Sequence, residues 1–220
     1  MTAKLAFDVA HLLGASVLLL SFALLFQRRL SGVLKAFALQ AVALALLAAW
    51  QAFAQAAPHL YVTAGIALLF KAIIIPYALH RIVEKLGIHR TVETAIGMGA
   101  TMMAAVALVW LSILLVLPAT AAAAALTRED LTLALSVVLL GLLMMVSRRN
   151  AVTQVVGFMS LENGLILAAV GVKGMPLVVE MSIAFSVLVA FIVFGIFFFQ
   201  IRERFDTLDI HFLESFRGER

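Results

Sequence analysis

The chain alternates long apolar runs with short polar breaks, and the runs read as membrane spans. Seven can be marked, at 7–26, 32–54, 61–80, 93–117, 131–146, 151–172 and 177–200. A helix of about 20 residues, rising about 1.5 Å per residue, covers the ~30 Å of a bilayer's hydrocarbon core. The pattern therefore predicts an all-α polytopic membrane protein with about seven transmembrane helices. An odd number of crossings puts the termini on opposite faces. Beyond 200 the tail mixes charge with Phe205, Leu208, Ile210, Phe212, Leu213 and Phe216. That amphipathic pattern suits a membrane surface or a docking partner.

The polar residues inside these runs carry the chemical information. Glu162 and Asn163 fall near the middle of 151–172, and Lys71 lies ten residues from both Tyr61 and Arg81, too central to snorkel easily. A lysine at the bilayer centre costs about 2.5–3.5 kcal/mol on insertion scales, so something must compensate it, and an ionisable residue at that depth is a functional hypothesis by default. Pro76 lacks an N–H and is expected to bend the helix beside Lys71. Gln40 lies deep enough to need a hydrogen-bond partner. Glu162, Lys71, Asn163, Gln40, His80 and Glu180 are the candidate proton-pathway residues, with Glu180 shallow enough to reach water. Asp8 and His11 sit near the opposite end, in the headgroup zone.

Other breaks read as construction. Gly97, Thr101 and Ala105 form a small-residue stripe that admits a neighbouring helix. Ser182, Ser186 and Ala190 form another. Thr127, three residues ahead of Asp130, resembles a capping box at the start of the fifth span. Trp50 reads as an interfacial anchor.

Composition agrees with the pattern: 65% of residues are hydrophobic and 13% charged, with a mean hydropathy of +1.14, against about half and about a quarter in soluble domains. The net charge of +4 does not point to nucleic acid, because the basic residues gather on one side. Arg28, Arg29, Lys35, Arg81, Lys85, Arg90, Arg148, Arg149, Arg202, Arg204, Arg217 and Arg220 share one face. Lys4, Arg128 and Lys173 share the other, and Lys71, inside the membrane, completes the 16. That asymmetry predicts the N-terminus outside and the C-terminus cytoplasmic. Asp8 and His11 interrupt the first run, which is read as a retained helix and not as a leader.

The absence of cysteine removes thiolate clusters and zinc sites. His11 and His80 lie at opposite ends of their spans, so one haem iron cannot take both. No catalytic or metal-ligating residue is expected in this chain, and no cofactor bound by it.

The run S-x-R-N-x-x-x-Q-x-x-G-F-x-x-x-E-N-G from Ser147 to Gly164, with Lys71, Pro76, Gln40 and T-L-D-I from Thr207 to Ile210, resembles the hydrogenase-4 component E family over nearly the whole chain. The last three spans also resemble the K subunit of respiratory complex I. Two departures stand out: Met159 occupies the K-subunit carboxylate position, with Glu162 one turn on, and Ala190 stands where a second carboxylate is expected. The resemblance implies a four-helix segment (1–125), a K-subunit-like three-helix segment (126–200) and a cytoplasmic tail (201–220). It further implies a bacterial or archaeal cytoplasmic (inner) membrane, antiporter-like and other membrane-arm partners, and a hydrogenase-like peripheral arm holding [NiFe] and Fe–S centres. Arg148, Arg149 and Asp209 would serve partner docking. The chain would be a non-catalytic subunit of an oxidoreductase complex, taking part in proton or cation translocation. Two alternatives remain at this point: a multi-component cation/proton antiporter subunit without redox partners, and a purely structural bridge.

Overall fold

A computed structural model describes residues 3–85, 96–120 and 125–171. Every element among them is helical: α1 (Ala3–Phe26), α2 (Leu30–Gln55), α3 (His59–Ile66), a π-helix (Ala67–Ile74), α4 (Ile75–Lys85), α5 (Met98–Ala119), α6 (Ala125–Ser147) and α7 (Ala151–Gly171). Six helical stretches are long and apolar enough to cross a membrane, with α3, the π-helix and α4 forming one of them. The expected span at 177–200, and with it Glu180, Asp209 and the Ser182 stripe, lies outside the described residues.

Short connections stack the helices antiparallel. Arg28, Arg29, Arg148 and Arg149 therefore share one end of the bundle, while His11 and Glu129 meet at the other, 3.5 Å apart. Trp50 closes that second end by donating its indole N–H to the Ala6 carbonyl at 2.9 Å. Gln55 does the same to Val170 at 3.0 Å. At the α2 C-terminus Ala56 takes the left-handed conformation (φ 53°, ψ 42°), and its N–H returns to the last turn.

The third span is not one regular helix. Pro76 offers no N–H to the carbonyls of Lys71 and Ala72, and its ring crowds the preceding turn. The chain answers by widening, with π-helix immediately before Ile75, where a simple kink was expected.

In α5 the buried face is Thr101, Ala105, Ser112 and Val116. Thr101 and Ala105 thus pack as the stripe suggests, but a side chain at Gly97 would meet open space. Ser112 and Ser136 of α6 share a 2.5 Å hydrogen bond across this contact. The start of α6 differs from expectation: it begins at Ala125, so Thr127 lies inside the first turn instead of capping it.

The closest pairing is α6 on α7. A Cβ on Gly141 would stand 2.5 Å from the backbone nitrogen of Leu161, and one on Gly164 2.8 Å from that of Val138. Only glycine lets two backbones approach this closely.

Two apolar clusters fill the bundle. One, toward the arginine end, contains Leu24, Leu25, Leu34, Phe37, Ile75, Leu79, Met144 and Met159. The other contains Val17, Leu44, Leu47, Leu60, Ala64, Val137, Ile166 and Leu167.

Candidate functional site

Between these clusters lies a buried polar layer. Along α1, α2, the third span and α7, the residues separating one cluster from the other include Ser21, Gln40, Lys71 and the Ser160–Asn163 turn. Glu162 and Lys71 are each 2% exposed or less, and Gln40 and Asn163 are fully buried. Glu162 lies two residues before Gly164, roughly 200° around the helix at 100° per residue. With Gly164 pressed on α6, the carboxylate is turned away from that interface and toward the third span.

The side chains form one connected array. Lys71 Nζ is 3.2 Å from Glu162 Oε2 and donates to Asn163 Oδ1 at 2.9 Å. Asn163 Nδ2 donates to Gln40 Oε1 at 3.2 Å. Gln40 Nε2 donates to Ser21 Oγ at 2.7 Å and to Ser160 Oγ at 3.0 Å. Ser21 in turn donates to the Val17 carbonyl at 3.0 Å. Every donor along this series points the same way, from the ammonium toward a backbone oxygen. The amide orientations are those that complete the series.

Such closure is what a buried charge requires. Removing either charge of a buried pair is costly because the other is left without compensation, whereas the complete set is tolerated. The direction of the series also separates roles. An amide can accept one hydrogen bond and donate another, but it does not take up and release protons in the physiological range as a carboxylate, amine or water does. Glu162 and Lys71 are the titratable members; Asn163, Gln40, Ser21 and Ser160 orient them.

Four sequence candidates, Glu162, Lys71, Asn163 and Gln40, thus converge, and Pro76 stands one helical turn beyond Lys71. His80 does not join them: half-exposed near the arginine end, its Nε2 lies 3.3 Å from Glu84 Oε1. Ser21 and Ser160 belong to the array without having been singled out. Their signal was a lone hydroxyl in an aliphatic run, which commonly bonds back to its own helix, as Ser21 also does.

The Ser147–Gly164 motif is resolved into separate tasks. Asn150 caps α7, its Oδ1 accepting from the Val152 N–H at 2.9 Å. Gln154 donates to the Arg148 carbonyl at 2.8 Å. Thr153 Oγ1 donates to the Asn150 carbonyl at 2.7 Å. Gly157 and Gly164 face α6. Arg149 is exposed. Arg148 is 2% exposed and donates through Nη2 to the carbonyl of Leu25, at the end of α1.

No family model matches this chain, and no solved structure matches it. It is similar to the uncharacterized protein Rv0085 of Mycobacterium tuberculosis (strain ATCC 25618 / H37Rv), at 27% identity over 207 residues, covering 93% of this chain and 94% of that protein.

Proposed function

We propose that this chain is a membrane-arm subunit of a hydrogenase-4- or formate-hydrogenlyase-like complex and that Glu162 and Lys71 carry protons within it. It sits in a bacterial or archaeal cytoplasmic membrane with its arginine end inside. The redox chemistry, with its [NiFe] and Fe–S centres, belongs to partner subunits. The observation that carries the reading is the buried Lys71–Glu162 pair, 3.2 Å apart and embedded between two apolar clusters. The Ser147–Gly164 motif supplies the family context.

A proton arriving on Glu162 neutralises the carboxylate and removes the attraction that holds Lys71. The ammonium keeps its hydrogen bond to Asn163 and can then pass a proton to water or to a group on a neighbouring subunit. The protonated Glu162 then hands its proton to the neutral Lys71 amine, 3.2 Å away, which restores both charges and closes the pair again. Asn163 and Gln40 fix where the lysine points in both conditions and do not conduct.

A structural reading has one observation in its favour: the same pair, with its hydrogen bonds, also pins the third span to α7 without moving anything. Glu162→Gln separates the two. Proton translocation in inverted vesicles, scaled to the complex yield measured on the same membranes, should fall to background. Wild-type translocation in that variant overturns the proton-carrying role.

A further inference from the structure

Two connections meet at the arginine end, one from α1 to α2 and one from α6 to α7. Arg29 and Arg148, one in each, make an isolated β-bridge, and Arg148 Nη2 donates to the Leu25 carbonyl. The connections therefore run side by side. The stretches 27–35 and 147–154 hold Arg28, Arg29, Lys35, Arg148 and Arg149 and no acid. Glu84, also at this end, lies beside His80.

Four of these cations are exposed, but Arg148 is enclosed. Its Nε and Nη1 are buried without a hydrogen-bond partner among the described residues. Burial presses its pKa down from the ordinary arginine value, and no carboxylate offsets that. The guanidinium nonetheless stays charged. A charge enclosed in protein is weakly screened, so Arg148 adds to the field of the exposed arginines above it. Like charges gathered in this way draw an anion to their surface.

The surroundings indicate which anion. Phe26 and Val146, 61% and 73% exposed, each stand two residues ahead of an arginine pair. Leu12 and Leu19 continue Phe26 down α1 at seven-residue spacing, and Leu142 continues Val146 one turn down α6, all three exposed. The two helices pack on each other. Exposed apolar strips that end at uncompensated cations match the two halves of a phospholipid, acyl chains in the hydrocarbon and phosphate at headgroup depth. A free anion would use the cations and leave the strips aside.

We propose that the paired connections bind the phosphate of an anionic phospholipid from the adjoining leaflet. Arg28, Arg29 and Arg149 hold it above Arg148, and its chains lie on the strips that end at Phe26 and Val146. Arg148 acts from beneath without touching the phosphate, kept inward by the Leu25 carbonyl. The site is independent of proton carriage by Glu162 and Lys71.

The full chain, in the assembly in which it is isolated, can be titrated by native mass spectrometry with phosphatidylglycerol and with phosphatidylcholine of the same acyl chains. Phosphatidylglycerol should bind more tightly. Arg28→Gln with Arg149→Gln should weaken it about thirtyfold, since each basic residue near the surface contributes about 1 kcal/mol, or about fivefold. Arg81→Gln removes an exposed charge from another helix at the same end and should leave the binding unchanged. Equal affinity for the two lipids, or binding unchanged in the double variant, overturns the proposal. So does displacement of phosphatidylglycerol by inorganic phosphate at matched ionic strength, which would assign the site to a free anion. Loss of a neighbouring subunit from the double variant with the lipid retained also overturns it, and would assign the cations to a protein carboxylate.

Discussion

Lys71 donates to Asn163 at 2.9 Å while standing 3.2 Å from Glu162, so two consecutive residues of α7 hold one ammonium of the third span. The carboxylate supplies charge and the amide supplies direction. A helix can do this only where neighbouring positions straddle the facing element, and the widened turn around Lys71 provides that space.

The pair should obey a double-mutant test. Glu162→Gln and Lys71→Met each leave one charge behind, and if the pair were only a pin each would cost about 3–5 kcal/mol, with recovery when both are changed together. A proton-carrying pair gives no recovery of translocation in the double variant, whatever happens to stability. Complex yield and proton uptake in the three variants, measured side by side, decide it.

Asn163→Leu should separate orientation from proton carriage. It breaks the link between Lys71 and Gln40 while leaving both titratable groups. The expected result is a slowed rather than absent translocation, with a loss of about 1–3 kcal/mol in stability from the Gln40 Oε1 left without its donor. Complete loss of translocation at normal yield would show that the amide does more than orient.

The α6–α7 contact has no room for side chains. Gly164→Val should lower the thermal midpoint of the detergent-purified protein, because a Cβ there meets the Val138 backbone nitrogen at 2.8 Å; the overpacking cost is about 1–3 kcal/mol. Gly65→Ala, where nothing lies within 4 Å, is the matched control and should leave the midpoint unchanged or slightly raised.

Ala56→Gly should stabilise. The residue holds φ 53°, which costs an L side chain about 1 kcal/mol and glycine very little. A rise in the thermal midpoint is expected, and a fall would mean that the Ala56 methyl group packs better than its exposure suggests.

Orientation is tested by impermeant thiol labelling of Glu129→Cys and Arg149→Cys, both at exposed positions on opposite ends of the bundle. Glu129→Cys should label on intact cells and Arg149→Cys only after inversion of the membrane. The reverse result would turn the bundle over in the bilayer.

The spans were legible because length and apolar composition suffice to mark them. Lys71 and Glu162 were legible because each is expensive where it stands. Their contact was not, since no sequence spacing links residues on distant helices. Pro76 announced a disturbance, but a proline specifies only a missing donor and a crowded carbonyl; whether the turn kinks or widens depends on what packs around it. Arg148 reads in sequence like any arginine at a helix end, free to reach headgroups, and only the folded position of Leu25 shows that it turns inward. Thr127 and Asp130 carried a capping signal that the helix overran: a cap at Thr127 would start the helix at 128, and it starts three residues earlier, at Ala125.

The distance between Lys71 and Glu162 along the chain has a consequence in time. At roughly 5–20 residues per second, a nascent chain finishes Lys71 about 5–20 s before it reaches Glu162. Throughout that interval the third span must keep its ammonium near water or at the translocation machinery, since its counter-charge does not yet exist. Arrival of α7 is therefore the event that commits the third span to its final depth, and a chain stalled before that point is left with a helix that the bilayer has reason to reject.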